Sequence, residues 1–205
     1  MTNVEPDWTQ FALLLIDVQR DFWSGEMAKT FPGFPDKVAE LLEVCRSTGI
    51  EVIHLRAIFK PDTSDWMARY KLRGSIPCVE GTPGSETLPF AIEAPGEAVI
   101  VKQSFDGFQN PALLEHLRRG GKRFVLTAGL VTSTCVLFTT VSAAQEGFLT
   151  AVVEDCSADE LEAHRKTLDR YQFIFERTSL DAIAERHAEW LAELKRLDEL
   201  EAKTR

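Results

Sequence analysis

The sequence lacks the features that mark several large classes of protein. Its 23 lysines and arginines stand against 32 aspartates and glutamates, which gives a formal net charge of −9. A nucleic-acid-binding or membrane-binding surface is therefore not expected, since both need an excess of basic residues. No apolar run approaches the length of a membrane span. The opening residues carry acids and a proline where a secretory leader would be basic and then apolar, so we expect a cytoplasmic protein.

Cysteine is also scarce, and its spacing excludes further classes. The four cysteines, at positions 45, 78, 135 and 156, form no CxxC pair. A zinc knuckle or a thioredoxin-like motif is therefore not expected. In a reducing compartment all four should be free thiols.

The composition is that of an ordinary globular protein. Of 205 residues, 44% are hydrophobic and 27% are charged, which predicts one domain over residues 1–205 with a substantial core. Apolar runs of strand length alternate with segments of helical period. The runs are FALLLIDVQ (11–19), IEVIHLRAIF (50–59), EAVIVK (97–102), RFVLTAGL (123–130), FLTAVVEDC (148–156) and QFIFER (172–177).

This alternation predicts an α/β fold: a doubly wound, mainly parallel sheet of about six strands with helices on both faces. Residues from about 60 to 96 show no clear period and predict a long irregular loop, with a short helix near residues 66–71. A loop of this length is usually functional or an interface element, so it is either a lid or a subunit contact. An amphipathic helix is expected at about 179–203, packed on the domain or on a partner subunit.

Three chemically useful residues lie where predicted strands finish: Asp17, Lys102 and Cys135. Ligands of doubly wound sheets bind outside the carboxyl ends of the strands, so these side chains can converge on one crevice. Each residue alone also fits a structural role, as a turn cap, a solvated strand end and a core thiol. Together they suit covalent acyl transfer, with a thiol nucleophile and a carboxylate that moves protons.

The segment around Cys135 predicts how the thiol is activated. We expect Cys135 in the first turn of a helix capped by Thr132 or Ser133, where the helix dipole and Lys102 favour the thiolate. Backbone N–H groups of the turn GLVTSTC are the natural donors to the oxyanion of a tetrahedral intermediate.

The motifs LLLIDVQRDFWSG, EGTPGSETLP, VIVKQSFDGF and VLTAGLVTSTCV, in this order, resemble the isochorismatase-like cysteine hydrolase superfamily. The GTPGSE-x-LP loop resembles its carbamoylsarcosine-amidase-like and ureide hydrolase branches. The resemblance implies a parallel sheet between helical layers, a triad of Asp17, Lys102 and Cys135, and a cis peptide between Leu130 and Val131. It also implies an oxyanion hole made by the N–H groups of Val131 and Cys135, and a homo-oligomer.

The resemblance further implies cleavage of a small amide, ureide or carbamoyl compound with release of ammonia. The family's metal-binding members carry Asp-x-His after the second strand, a pattern that is missing here, so we expect neither a metal nor another cofactor. Candidate walls for a small-molecule pocket are Phe22, Trp23 and Phe108. Two alternatives stay open: non-amide hydrolysis of the vinyl-ether type driven by Asp17, and a non-catalytic binding or scaffold protein on the same fold.

Overall fold

One six-stranded sheet forms the centre of the computed structural model, which describes residues 6–203. Every pairing between neighbouring strands is parallel. The order β3-β2-β1-β4-β5-β6 reverses the direction of succession between β1 and β4, so the expected doubly wound sheet is confirmed. The strands are β1 (Phe11–Ile16), β2 (Glu51–Ala57), β3 (Ala98–Lys102), β4 (Phe124–Leu130), β5 (Leu149–Ala158) and β6 (Glu176–Thr178).

Helices pack on both faces of the sheet, and the period of β1 explains why. Odd-numbered residues of β1 enter a core shared with two helices, and even-numbered residues enter a second core shared with three others. The helices of the first core are α2 (Phe34–Thr48) and α7 (Ile183–Ala202), and those of the second are α4 (Pro111–Arg119), α5 (Leu137–Gln145) and α6 (Leu161–Arg170). Two short helices complete the set, α1 (Gly25–Thr30) and α3 (Ala68–Arg73). Among the described residues, no helix is both long and apolar enough to cross a membrane.

Element bounds differ from the sequence expectation at two places. The last strand is confined to three residues because a turn precedes it, in which the Ile174 N–H donates to the Tyr171 carbonyl at 2.8 Å. The final α-helix begins at Ile183, after a short 3₁₀ turn at Leu180–Ala182.

The segment between β2 and β3 is irregular, as its lack of period predicts. The expected short helix is present as α3, and two 3₁₀ turns follow at Pro83–Ser85 and Pro89–Ala91. Backbone hydrogen bonds tie the segment to the chain just past β1: the Leu88 N–H donates to Val18, and the Arg20 N–H donates to Glu86. The segment therefore lies against the carboxyl end of the sheet.

Candidate active site

Asp17 lies directly after β1, where the strand order reverses. Its φ of +50° is in the left-handed region, which residues other than glycine rarely adopt. Its N–H donates to the Leu55 carbonyl at 2.9 Å, and its own carbonyl accepts from the Gln19 N–H at 2.7 Å. These bonds hold a fully buried carboxylate immediately past the strand.

Lys102 ends β3 and reaches Asp17 across the end of β2. Its Nζ donates to Asp17 Oδ2 at 2.7 Å and to the Ser104 carbonyl at 2.8 Å, and both charged side chains are 0% exposed. Two strand spacings separate β3 from β1, about 10 Å, so only a long side chain can make this contact. In the strand register Lys102 lies beside Ala57, a small residue.

Cys135 follows β4 in a turn that differs from the expected helix start. The peptide bond between Leu130 and Val131 is cis, at the position that the resemblance implies. Residues Thr132–Val136 form a π-helical turn in which the Val136 N–H donates to the Val131 carbonyl, and α5 begins after it. Cys135 is 5% exposed, and it lines the same cavity as Lys102.

The expectation that Thr132 or Ser133 caps a helix is wrong, because both residues lie inside the π-helical turn. The Thr132 hydroxyl hydrogen-bonds with His164 Nδ1 at 2.8 Å, and the Ser133 N–H donates to Asp159 Oδ2 at 2.7 Å. The turn that carries Cys135 is therefore fixed from α6 and the end of β5 rather than by a cap of its own.

Gly129 brings the ends of β1 and β4 together. Its φ is +122°, and a Cβ at this position would lie 2.1 Å from the Ile16 carbonyl oxygen. Only glycine permits this approach without displacement of the backbone. Because Ile16 precedes Asp17, the approach also sets the distance between the carboxylate and the turn that holds the thiol.

The buried pair of Asp17 and Lys102 has pKa values set by opposing effects. Burial raises the pKa of Asp17, and this outweighs the ammonium of Lys102 and the thiol of Cys135, which both lower it. Burial alone would lower the pKa of Lys102, but the neighbouring Asp17 and Cys135 raise it. Asp17 Oδ1 accepts no hydrogen bond of ordinary geometry, and the Cys135 thiol is near enough to interact with the carboxylate as a donor.

The Cys135 thiol has a pKa well above its ordinary value of 9.0, so the expected resting thiolate is wrong. Burial is the main cause, and the charge of Asp17 adds to it, while Lys102 acts in the opposite direction with less effect. The raised pKa of Cys135 is therefore mainly a consequence of its burial.

A cavity of about 130 Å³ opens beside Cys135 and Lys102, and the fully buried Asp17 contacts it only through its ion pair with Lys102. Its walls come mostly from the segment between β2 and β3 and from the chain following β1 and β3. The larger apolar and aromatic side chains that line it are Phe22, Phe59, Met67, Tyr70, Ile76 and Phe105. Val131, whose N–H is an oxyanion-hole candidate, also borders this space.

Phe22 lies in the cavity wall as expected, whereas Trp23 and Phe108 do not. The Trp23 ring stacks on Phe34 at a centroid distance of 4.8 Å and packs against the core that contains α2. Phe108 packs toward Phe148 in the opposite core. Phe22 and Trp23 are adjacent in sequence, but only Phe22 faces the cavity. Sequence distance from Asp17 or Lys102 therefore does not predict which aromatic side chains line the cavity.

The four histidines are engaged away from the cavity. His54 pairs with Glu97, His116 with Glu51, His164 with Thr132, and His187 with the Asp7 carbonyl. Within residues 6–203, no three or more His, Cys, Asp or Glu side chains cluster closely enough to hold a metal ion.

The remaining cysteines are buried. Cys78 is 0% exposed, and its N–H donates to Asp21 Oδ2 at 2.7 Å. Burial raises the pKa of Cys45 to about 12, and the pKa of Cys156 is raised for the same reason.

Comparison with known proteins agrees with this architecture. A family profile described as the isochorismatase domain matches residues 11–180. Maleamate amidohydrolase of Pseudomonas putida is 30% identical over 155 residues, 72% of this chain and 72% of that protein. Nicotinamidase 3 of Arabidopsis thaliana is 28% identical over 175 residues, 83% and 85% of the two chains. The crystal structure of an isochorismatase family protein from Desulfovibrio vulgaris matches with a TM-score of 0.79 at 30% identity, covering 87% of this chain and 98% of that one.

Fold and site together define a three-layer α/β protein in which a thiol and an ammonium group line one cavity at the switch point of the sheet, with a buried carboxylate bound to that ammonium group. The profile match covers most of the chain, and the chain belongs to the isochorismatase family of hydrolases. The resemblance drawn from the motifs is confirmed.

Proposed function

We propose that this protein is a cysteine hydrolase that cleaves the C–N bond of a small amide, ureide or carbamoyl compound and releases ammonia. The observation that carries the proposal is that Cys135 and Lys102 line one cavity, while Lys102 is paired with the fully buried Asp17. Two relatives named for amide hydrolysis, maleamate amidohydrolase and nicotinamidase 3, support the same reaction class.

The charges of Lys102, Asp17 and Cys135 before substrate binds are compatible with proton transfer from the thiol to the carboxylate. A charged Lys102, an ionised Asp17 and a neutral Cys135 together carry no net charge, which costs less than a buried site with an unpaired charge. The raised pKa of Asp17 makes it a stronger base than an exposed carboxylate. Lys102 keeps Asp17 ionised and fixes its orientation through the 2.7 Å contact.

Acylation begins when Cys135 Sγ attacks the carbonyl carbon while its proton passes to Asp17. The N–H groups of Val131 and Cys135 are the proposed donors to the oxyanion. The C–N bond then breaks, Asp17 returns the proton to the departing nitrogen, and ammonia leaves a thioester on Cys135. Water resolves the thioester: Asp17 accepts a proton from water, hydroxide adds to the acyl carbon, and the C–S bond breaks. The sulfur recovers the proton, and an acid is released.

Ammonia release over a panel of small primary amides, ureides and carbamoyl compounds tests the proposal. We expect kcat of Cys135→Ala to be at least about 1,000-fold lower than that of wild type. In wild type that is quenched with acid during turnover, mass spectrometry should detect the acyl group of the substrate on Cys135. Cys45→Ala, which removes a thiol from the core beneath α2, is the matched control and should keep its activity.

Each alternative has its own outcome in this experiment. Full activity in Cys135→Ala together with loss in Asp17→Asn would contradict the thioester route and favour hydrolysis driven by Asp17. Binding of small molecules without turnover by the folded wild type would favour the scaffold.

A further inference from the structure

We infer, on the basis of the proposed function, that the substrate is an uncharged amide whose non-reacting part is apolar and no larger than about one six-membered ring. The cavity wall carries this inference. Beyond Cys135 and Lys102, most of the described lining is aromatic or aliphatic, including Phe59, Ile76 and Phe105. Hydroxyl groups are supplied by Tyr70, Ser104 and Thr134.

The described lining contains no free cation for a substrate carboxylate. Lys102 is its one basic residue, and its ammonium is already committed to Asp17 and to the Ser104 carbonyl. A substrate carboxylate would lose its water in this cavity without gaining a cationic partner, because the charge of Lys102 is already balanced by Asp17.

Three arginines of β2 and α3, Arg56, Arg69 and Arg73, do not supply that cation, since none of them lines the cavity. Arg56 pairs with Glu93, and its side chain borders a separate small cavity with Thr87. The Arg73 guanidinium lies over the outside of the Tyr70 ring, 5.8 Å from its centroid, and does not line the cavity. None of these arginines therefore adds a positive charge to the cavity wall.

The volume sets the size of the substrate. The cavity measures about 130 Å³, and an apolar protein cavity of about 150 Å³ is known to hold one benzene molecule. The cavity volume therefore corresponds to about one six-membered ring or one short branched chain.

A matched pair of probes isolates the charge: isocaproamide, which ends in an isopropyl group, and succinamate, in which a carboxylate of the same shape replaces it. We expect wild type to release ammonia from isocaproamide with a kcat/KM at least about 100-fold above that for succinamate, since an unpaired charge in a mainly apolar cavity is rejected. Benzamide should behave like isocaproamide.

The possible outcomes separate the inference from the function on which it rests. Equal or faster turnover of succinamate would overturn the inference and leave amide hydrolysis standing. Absence of ammonia release from every probe by the folded protein would overturn the proposed function, and the inference with it.

Met67 offers a test by gain of charge. It is half-buried, precedes α3 and lines the cavity. Met67→Lys places an ammonium at the wall, and we expect the ratio of isocaproamide to succinamate turnover to fall at least about 10-fold, as a new ion pair would produce. Met67→Leu is the control and should keep the wild-type ratio. An unchanged ratio in the folded lysine variant would contradict the charge argument.

Discussion

Removal of the ammonium from the buried ion pair is the sharpest test of the site. In Lys102→Met the carboxylate of Asp17 stays at 0% exposure and loses its 2.7 Å partner. Oδ1 of the same carboxylate has no ordinary hydrogen bond to compensate for this loss. Breaking a buried pair from one side destabilises a protein by about 3–5 kcal/mol, and we expect this range at pH 7.

The destabilisation should depend on pH in a defined direction. Without the ammonium the folded-state pKa of Asp17 rises further above its unfolded value, so folding takes up a proton. A raised folded pKa means that stability is present below the unfolded value of 3.8 and is lost as the pH rises above it. The loss should approach about 1.4 kcal/mol per pH unit until the folded pKa is reached.

Urea unfolding of four proteins at pH 5 and pH 8 measures these effects: wild type, Lys102→Met, Asp17→Asn and the double variant. The double variant removes both charges, so its stability should return to within about 2 kcal/mol of wild type, with little dependence on pH in this range. A Lys102→Met protein within about 1 kcal/mol of wild type, or a double variant as unstable as the single one, would refute the reasoning.

Three further expectations follow from individual residues. Burial raises the pKa of Asp17, so kcat/KM for ammonia release should decrease as the pH is lowered, with a midpoint above pH 3.8. A midpoint at or below pH 3.8 would contradict the role of Asp17 as base. Gly129→Ala should lose more than about 2 kcal/mol in urea unfolding, because its Cβ would meet the Ile16 carbonyl; Gly25→Ala, with open space around its Cβ, is the control. Burial alone would raise the pKa of Glu97, but hydrogen bonds from an arginine, a backbone N–H and a histidine hold it at about 2. Glu97 should therefore contribute at most about 3 kcal/mol of stability that is lost as the pH falls from 4.5 toward 2, and Glu97→Gln should lose correspondingly less stability than wild type over this range in acid titrations followed by circular dichroism.

The sheet and the ends of its strands were readable in the sequence for a physical reason. A strand buried on both faces must be apolar at every position, and Phe11–Ile16 is such a run. The carboxyl ends of parallel strands share one edge of the sheet, so the positions of Asp17 and Lys102 followed from the strands themselves.

Other features depend on tertiary contacts that leave no local pattern. The π-helical turn at Thr132–Val136 is held by Asp159 and His164, more than twenty residues further along the chain. The cavity wall draws on Met67 and Tyr70, from a segment whose side chains follow no period. Burial of Cys135, which raises its pKa, is likewise a property of the assembled layers.

A raised thiol pKa is compatible with a nucleophilic role and changes how that role is performed. The intrinsic nucleophilicity of a thiolate increases with the pKa of its thiol, so a thiolate formed from Cys135 attacks more readily than one formed from an acidic thiol. The cost is the proton, which must leave as the sulfur attacks, and Asp17 is a buried base close enough to affect the pKa of the thiol. Because Lys102 balances the charge of Asp17 before the transfer and that of the anionic intermediate after it, the pocket never holds an unpaired charge. The features that keep the resting thiol neutral are therefore the ones that allow the transfer when an uncharged substrate fills the cavity.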